Sequence, residues 1–152
     1  PYTVSRRLFE TITDYSVQEN IKISIHAAES HLEEDLMIYG TGAMADFYRE
    51  RGIHWTPPGL SSVQYLAEIG VLRARPLLAH CIRTNEKDWE LIAEHGAGIA
   101  HCPKSNAKFG HRAAPLERFL DNDLGVGLGS DSVASNNSCD ILEEARFAAL
   151  TA

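Results

Sequence analysis

Three short apolar runs in this chain each end in a side chain able to bind a metal ion. Ile21–Ile25 runs into His26, with Glu29 three residues on; Pro76–Ala79 runs into His80 and Cys81; Leu124–Gly129 runs into Ser130-Asp131-Ser132. A neutral imidazole and a carboxylate are the donors of a hydrolytic metal centre, and a second carboxylate nearby can move protons between water and substrate. His26 and Glu29 would face opposite sides of a strictly extended strand, so the chain must turn after His26 for both to point inward. His-x-x-Glu by itself occurs often by chance, and a lone His80 also fits a histidine satisfied in the core. Gly127-Leu-Gly-Ser-Asp131 carries more, because small residues let backbone and side chains crowd at a strand end. The order and placement of all three segments carry the signal.

Short apolar runs closed by a polar group read as buried parallel strands that present chemistry at their C-terminal ends, as the strands of a (β/α) barrel do. The sequence alternates accordingly. A first helix is predicted over Val4 to about Ser16, then a strand at Ile21–Ile25, helical material over Leu32–Arg51, and a helix from Ser61 to Ile69 with Gly70 as its C′ residue. A strand at Pro76–His80 leads to a helix capped by Thr84 or Asn85 and ending near His95-Gly96. Then come a strand at Ala97–Ala100, a loop over His101–Asn106, a short helix from Pro115 to Leu120, and the strand Leu124–Gly129. Ser135-Asn136-Asn137 is read as the cap of a final helix, Asp140 to Leu150.

The pattern is that of a parallel α/β fold with about four strand–helix units, without a repeat, a linker or a low-complexity segment. A closed (β/α) barrel takes about 250 residues and eight strands. The expectation is therefore a fragment of a TIM-type barrel filling residues 1–152.

Composition narrows the partners. At 152 residues and 44% hydrophobic, the chain can build one cored domain. Its net charge of -7 and its lack of any basic run argue against nucleic acid. No stretch of about 18 apolar residues suggests a membrane span, and no secretory signal is evident at the N-terminus. Cys81, Cys102 and Cys139 are odd in number and widely spaced, which argues against a disulfide framework; Cys81 and Cys102, each following a histidine at a strand end, are read as buried thiols, in a reducing, cytoplasmic setting.

The segments IHAAES, LLAHC, IAHCPKSNAKFG and GVGLGSDSVASNNSCDILEEAR resemble the amidohydrolase superfamily. The likeness is to its cytosine deaminase-like branch, which includes S-adenosylhomocysteine/methylthioadenosine deaminases, guanine deaminase and triazine hydrolases. The resemblance implies a metal-dependent hydrolase acting on a small heterocycle, with one divalent metal, zinc or else iron. It implies that His26 is the metal-ligand histidine of the fifth barrel strand and that Asp131 is the strand-eight aspartate, which binds metal and takes a proton from water. By the same resemblance Glu29 contacts the substrate ring nitrogen and shuttles protons, His80 steadies the attacking water and the tetrahedral centre, and Ser135 contacts substrate.

Family members also carry a His-x-His pair at their first strand, which this sequence lacks, and Pro1-Tyr-Thr-Val-Ser5 resembles the tail of the segment after strand four. The implied span is strands five to eight, with the missing ligands supplied by the remainder of the barrel or by a homo-oligomer. A triazine-type hydrolase, an aminofutalosine-type deaminase and an inactive truncated half-barrel are the competing readings.

Four further expectations follow. His31, His95 and His111 are read as surface or helix-end residues, whereas His101 either lines the pocket or does not. Lys104, Ser105 and Asn106 are expected to fix their loop through hydrogen bonds to backbone. Gly40–Ser62 is either a surface insertion packed by Trp55 and Phe47 or a lid in which His54 and Trp55 shape the pocket.

Overall fold

The computed structural model describes residues 1–151. Four parallel strands, β1 (Ser24–Ala27), β2 (Leu77–His80), β3 (Gly98–His101) and β4 (Val126–Leu128), form one sheet in the order β1-β2-β3-β4. Ser24 stands opposite Leu77, Leu77 opposite Gly98, and Ile99 opposite Val126. Spatial order equals chain order, which is the arrangement of barrel staves; a doubly wound sheet would reverse direction part-way. Each strand run is followed by helical material, so the expected α/β architecture of four strand–helix units is present. Among the described residues no helix is long and apolar enough to cross a membrane.

The helices begin where capping chemistry places them. Ser5 accepts a hydrogen bond from the Leu8 N–H and starts α1 (Arg6–Glu19). The helical material expected over Leu32–Arg51 is present as two helices, α2 (His31–Ile38) and α3 (Gly42–Glu50). Gly40 breaks it: its φ is +67°, and a Cβ there would meet Pro57 Cγ at 2.9 Å. α4 (Ser62–Glu68) leads into a 3₁₀ turn at Val71–Ala74, which the sequence did not suggest. α5 (Glu86–His95) carries a full capping box between Asn85 and Asp88 and ends at Gly96, as expected.

The segment expected as a loop after β3 is a helix, α6 (Pro103–Lys108), with proline at its start, where a missing N–H costs nothing. α7 (Leu116–Asp121) follows. Ser135-Asn136-Asn137 does not cap the last helix. Ser135 and Asn136 lie in a one-turn helix, α8 (Val133–Asn136), while Asp140 accepts from the N–H groups of Leu142 and Glu143 to start α9 (Ile141–Thr151).

Leu66, Leu72, Leu78, Ile92, Ile99 and Phe119 are fully buried between the sheet and its helices. Trp55 is anchored by a 3.1 Å hydrogen bond to the Leu36 carbonyl and an edge contact with Tyr48. Phe47 meets the other side of that cluster at Tyr48, 6.4 Å between ring centroids, but is itself exposed and lies under the Arg51 guanidinium.

Three buried carboxylates tie the loops together at the C-terminal rim of the sheet. Glu33 accepts from the Ala28 and Glu29 N–H groups, at 2.8 and 2.9 Å, and from the Ser62 hydroxyl of α4. Asp88 accepts from Ser61, Gln64 and the Asn85 N–H, joining α5 to α4. Glu144 accepts from the Lys104 N–H and from Asn136, joining α9 to α6 and α8. Replacing such a group leaves its donors unpaired, at about 1–3 kcal/mol for each buried one. Glu33→Ala is therefore expected to destabilise the protein by about 3 kcal/mol in urea unfolding; a change below about 0.5 kcal/mol, the usual range of surface substitutions, would contradict this.

Candidate metal centre

β1, β2 and the loop after β4 deliver His26, His80 and Asp131 to one place at the C-terminal rim. Their donor atoms all lie within 4.8 Å of one another. His26 Nδ1 is 3.3 Å from His80 Nε2, and the two rings meet edge to face at 4.8 Å between centroids. Donors about 2 Å from a common tetrahedral centre stand about 3.4 Å apart, so the two ring nitrogens have the spacing of zinc ligands. The set also has suitable chemistry, two imidazoles and a carboxylate. His80 therefore stands within reach of the same donors as His26 and Asp131, as its place at the end of β2 suggested.

Backbone conformation aims these groups. Ala28, His80, Cys81 and Asp131 have φ of 55°, 75°, 49° and 56°, in the left-handed region that non-glycine residues avoid. Each such residue costs on the order of 1–3 kcal/mol and persists where its surroundings over-determine it. The turn after β1 brings Glu29 back to within 3.8 Å of His26 Nδ1, as inward placement of both requires. Next to Asp131, Gly129 packs against Cys102, where a Cβ would lie 2.9 Å from Sγ.

Glu29 sits among three imidazoles. Its carboxylate is 3.8 Å from His26 Nδ1, 3.7 Å from His80 Nε2 and 3.7 Å from His111 Nε2. The contact with His26 holds the Glu29 carboxyl below its ordinary value, against burial and with help from His80 and His111. The same contact raises His26 above the ordinary imidazole value. Burial would raise Asp131, but hydrogen bonds from Ser105, the Ser132 N–H and Ser135 outweigh it and hold the carboxyl low. Ser105 donates to Asp131 Oδ2 at 2.6 Å. Ser135 is buried, and its hydroxyl also pairs with Ser132 at 2.7 Å, so it stands beside Asp131 at the rim.

Several residues behave differently from expectation. His111 is not a plain surface residue; it stacks on Phe109 and reaches Glu29 from the loop after α6. Ser105 and Asn106 do not bond their own loop but the site: Asn106 Oδ1 lies 2.9 Å from His80 Nδ1. Lys104 pairs with Glu143 of α9 and with Ser138 of the segment leading into it. No strand or helix period pointed to these contacts, and Pro103, a helix-start signal, was the one available hint of α6.

His101 is buried, and burial lowers its pKa; it lines a separate cleft of about 220 Å³. His31 is exposed at the start of α2, and the His95 ring bonds the Leu91 carbonyl, as helix-end residues do. Cys81 and Cys102 are buried free thiols, pushed up by burial, Cys102 to about 11, which leaves neither a reactive thiolate. Glu29 borders two clefts. One of about 560 Å³ also touches Tyr2, Phe9 and His26, and one of about 280 Å³ touches Arg83, His111 and Arg112. Neither His54 nor Trp55 lines them.

Known proteins share this arrangement. The 5-methylthioadenosine/S-adenosylhomocysteine deaminase of Pelotomaculum thermopropionicum is 37% identical over 150 residues, covering 99% of this chain and 31% of that protein. The aminodeoxyfutalosine deaminase of Deinococcus radiodurans is 33% identical over 162 residues, covering 97% and 38%. A zinc-bound adenosine deaminase from Xanthomonas campestris superimposes with a TM-score of 0.79 at 25% identity, covering 99% of this chain and 30% of that one. The chain thus spans about a third of the length of the curated relatives it matches. The sheet order is that of four consecutive staves of a (β/α) barrel, and residues 1–152 match the amidohydrolase family. With relatives above 30% identity along nearly every residue, the chain belongs to the amidohydrolase family.

Proposed function

We propose that this chain supplies strands five to eight of a metal-dependent aminohydrolase barrel that deaminates an aminopurine or a related heterocycle. The observation that carries this reading is the convergence of His26, His80 and Asp131 within 4.8 Å, with Glu29 facing both histidines. In this reading His26 and Asp131 hold one divalent metal, with zinc suited to imidazole and carboxylate donors and iron the alternative. When bound, such a metal lowers the pKa of water toward neutrality. Two protein ligands leave that site open, and the remainder of the barrel, from the same protein or a second copy, completes it.

The chain's own groups then divide the work. Asp131, held ionised by Ser105, Ser132 and Ser135, is poised to accept a proton from the attacking water. Glu29 carries protons to the ring nitrogen and the leaving amine, with His26, His80 and His111 around its carboxylate. His80 steadies the attacking water and the adduct, and Ser135 contacts substrate beside Asp131. Methylthioadenosine and adenosylhomocysteine are the substrates we favour, in keeping with the deaminase 37% identical to this chain; guanine and cytosine are of the same type. The aminodeoxyfutalosine deaminase at 33% identity supports a second reading with the same site and a different nucleoside. A triazine hydrolase would differ in its leaving group. Three free cysteines suit a reducing compartment such as the cytoplasm.

Ammonia release from methylthioadenosine, adenosylhomocysteine, guanine and cytosine by the zinc-loaded intact protein tests the reading. Asp131→Ala and Glu29→Gln are each expected to lower kcat by about 10²–10⁴-fold, the contribution of a positioned proton acceptor or donor. Activity within twofold of the parent in both variants would overturn it. The 152-residue chain alone is expected to turn over little substrate, and robust turnover by it, abolished in Asp131→Ala, would contradict the need for further ligands.

Metal binding should also depend on pH. A ligand histidine must shed its proton, and the His26 value is raised, so protons compete from a higher pH than at an ordinary imidazole. Below that raised value zinc affinity should fall by about tenfold per pH unit for the one proton displaced, as read by calorimetry. An affinity flat between pH 8 and pH 5 would exclude His26 as a ligand.

A further inference from the structure

Successive residues of α6 hold two different groups of the site. Ser105 bonds Asp131, and Asn106 bonds His80 from the side facing away from the other donors. Asn106 is 2% exposed, and His80 is fully buried, so water does not compete for this contact. The Asn106 Nδ2 group has no partner, which leaves the His80 contact as the sole hydrogen bond of its side-chain amide among the described residues.

A neutral imidazole carries one proton, and the hydrogen bond made by one ring nitrogen decides what the other offers. A carbonyl oxygen can only accept. With Asn106 Oδ1 at 2.9 Å, the His80 proton belongs on Nδ1, and Nε2 is left with its lone pair. Nε2 is the atom that faces the site, 3.3 Å from His26 Nδ1 and 3.7 Å from Glu29 Oε1. We propose that Asn106 is a positioning residue that fixes the His80 tautomer, so that His80 meets the reaction as a hydrogen-bond acceptor at Nε2.

The inference rests on the hydrolytic reading above only for its catalytic consequence. There, His80 Nε2 accepts a hydrogen bond from the attacking water and turns an oxygen lone pair of that water toward the substrate carbon. No bond is made or broken in this step. An amide turned the other way would put Nδ2 against Nδ1 and make Nε2 a donor instead, and these two arrangements give different spectra.

The intact protein, labelled with ¹⁵N-histidine and stripped of metal with a chelator, is examined by long-range ¹⁵N–¹H correlation above the imidazole titration range. His80→Gln identifies the His80 signals. The parent is expected to show the Nδ1–H tautomer at His80. Asn106→Asp, which keeps an acceptor in place, should retain it, and Asn106→Leu should shift His80 to the Nε2–H form. In turnover, Asn106→Leu should lower kcat by about 10–100-fold, with Asn106→Asp recovering most of the loss. An Nε2–H tautomer in the parent overturns the inference, as does an unchanged tautomer in a folded Asn106→Leu protein. If Asn106→Leu does not fold, the parent and Asn106→Asp spectra decide alone. A protein with the expected tautomer but no turnover of any heterocycle would sink the functional reading and leave this inference standing.

Discussion

The site depends on one buried carboxylate that is not itself part of the chemistry. Glu33 receives the N–H groups of Ala28 and Glu29 and the Ser62 hydroxyl, so it pins the reversal after β1 to helix α4. Without that reversal the alternation of an extended strand would send Glu29 to the face opposite His26. A buried acceptor with three donors is worth most where water is absent, because each donor would otherwise be stranded. Asp88 and Glu144 repeat the device farther along the rim, tying the segments that follow His80 and Asp131 to neighbouring elements. This network makes the rim stiff enough to hold left-handed backbone at His80 and Asp131.

Charge in the cluster is balanced locally. Glu29 lies within 3.8 Å of His26, His80 and His111, and Asp131 is cradled by hydroxyl and N–H donors. Both carboxylates are held low, while His26 is held high, so protons and a cation compete for the same space. A site of this kind is poised to exchange the one for the other, which is what metal-assisted proton transfer requires.

The sequence made the strand ends legible and hid what supports them. His26, His80 and Asp131 closed short apolar runs, and a parallel sheet in chain order was sufficient to bring them together. His111, Ser105 and Asn106 were not legible as site residues, because they arrive through α6 and its following loop, where neither the strand nor the helix period applies. α6 has six residues, too few for a hydrophobic pattern, and only Pro103 marked its start. The left-handed residues were invisible for a different reason: His80 and Asp131 are not glycine, and their conformation is imposed by contacts distant in sequence. The break at Gly40 within the helical stretch Leu32–Arg51 likewise needed Pro57, which packs on Gly40 from the next segment.

Binding of one metal ion by His26 and Asp131 at the sheet's C-terminal rim is the proposal on which the assigned roles of the other residues rest. Anomalous X-ray diffraction at the zinc edge, from crystals of the intact protein loaded with zinc, tests it most directly. A single strong peak is expected, bonded to a His26 ring nitrogen and an Asp131 carboxylate oxygen, with Glu29 near but not coordinating. A peak elsewhere, or zinc held without either residue, would contradict it.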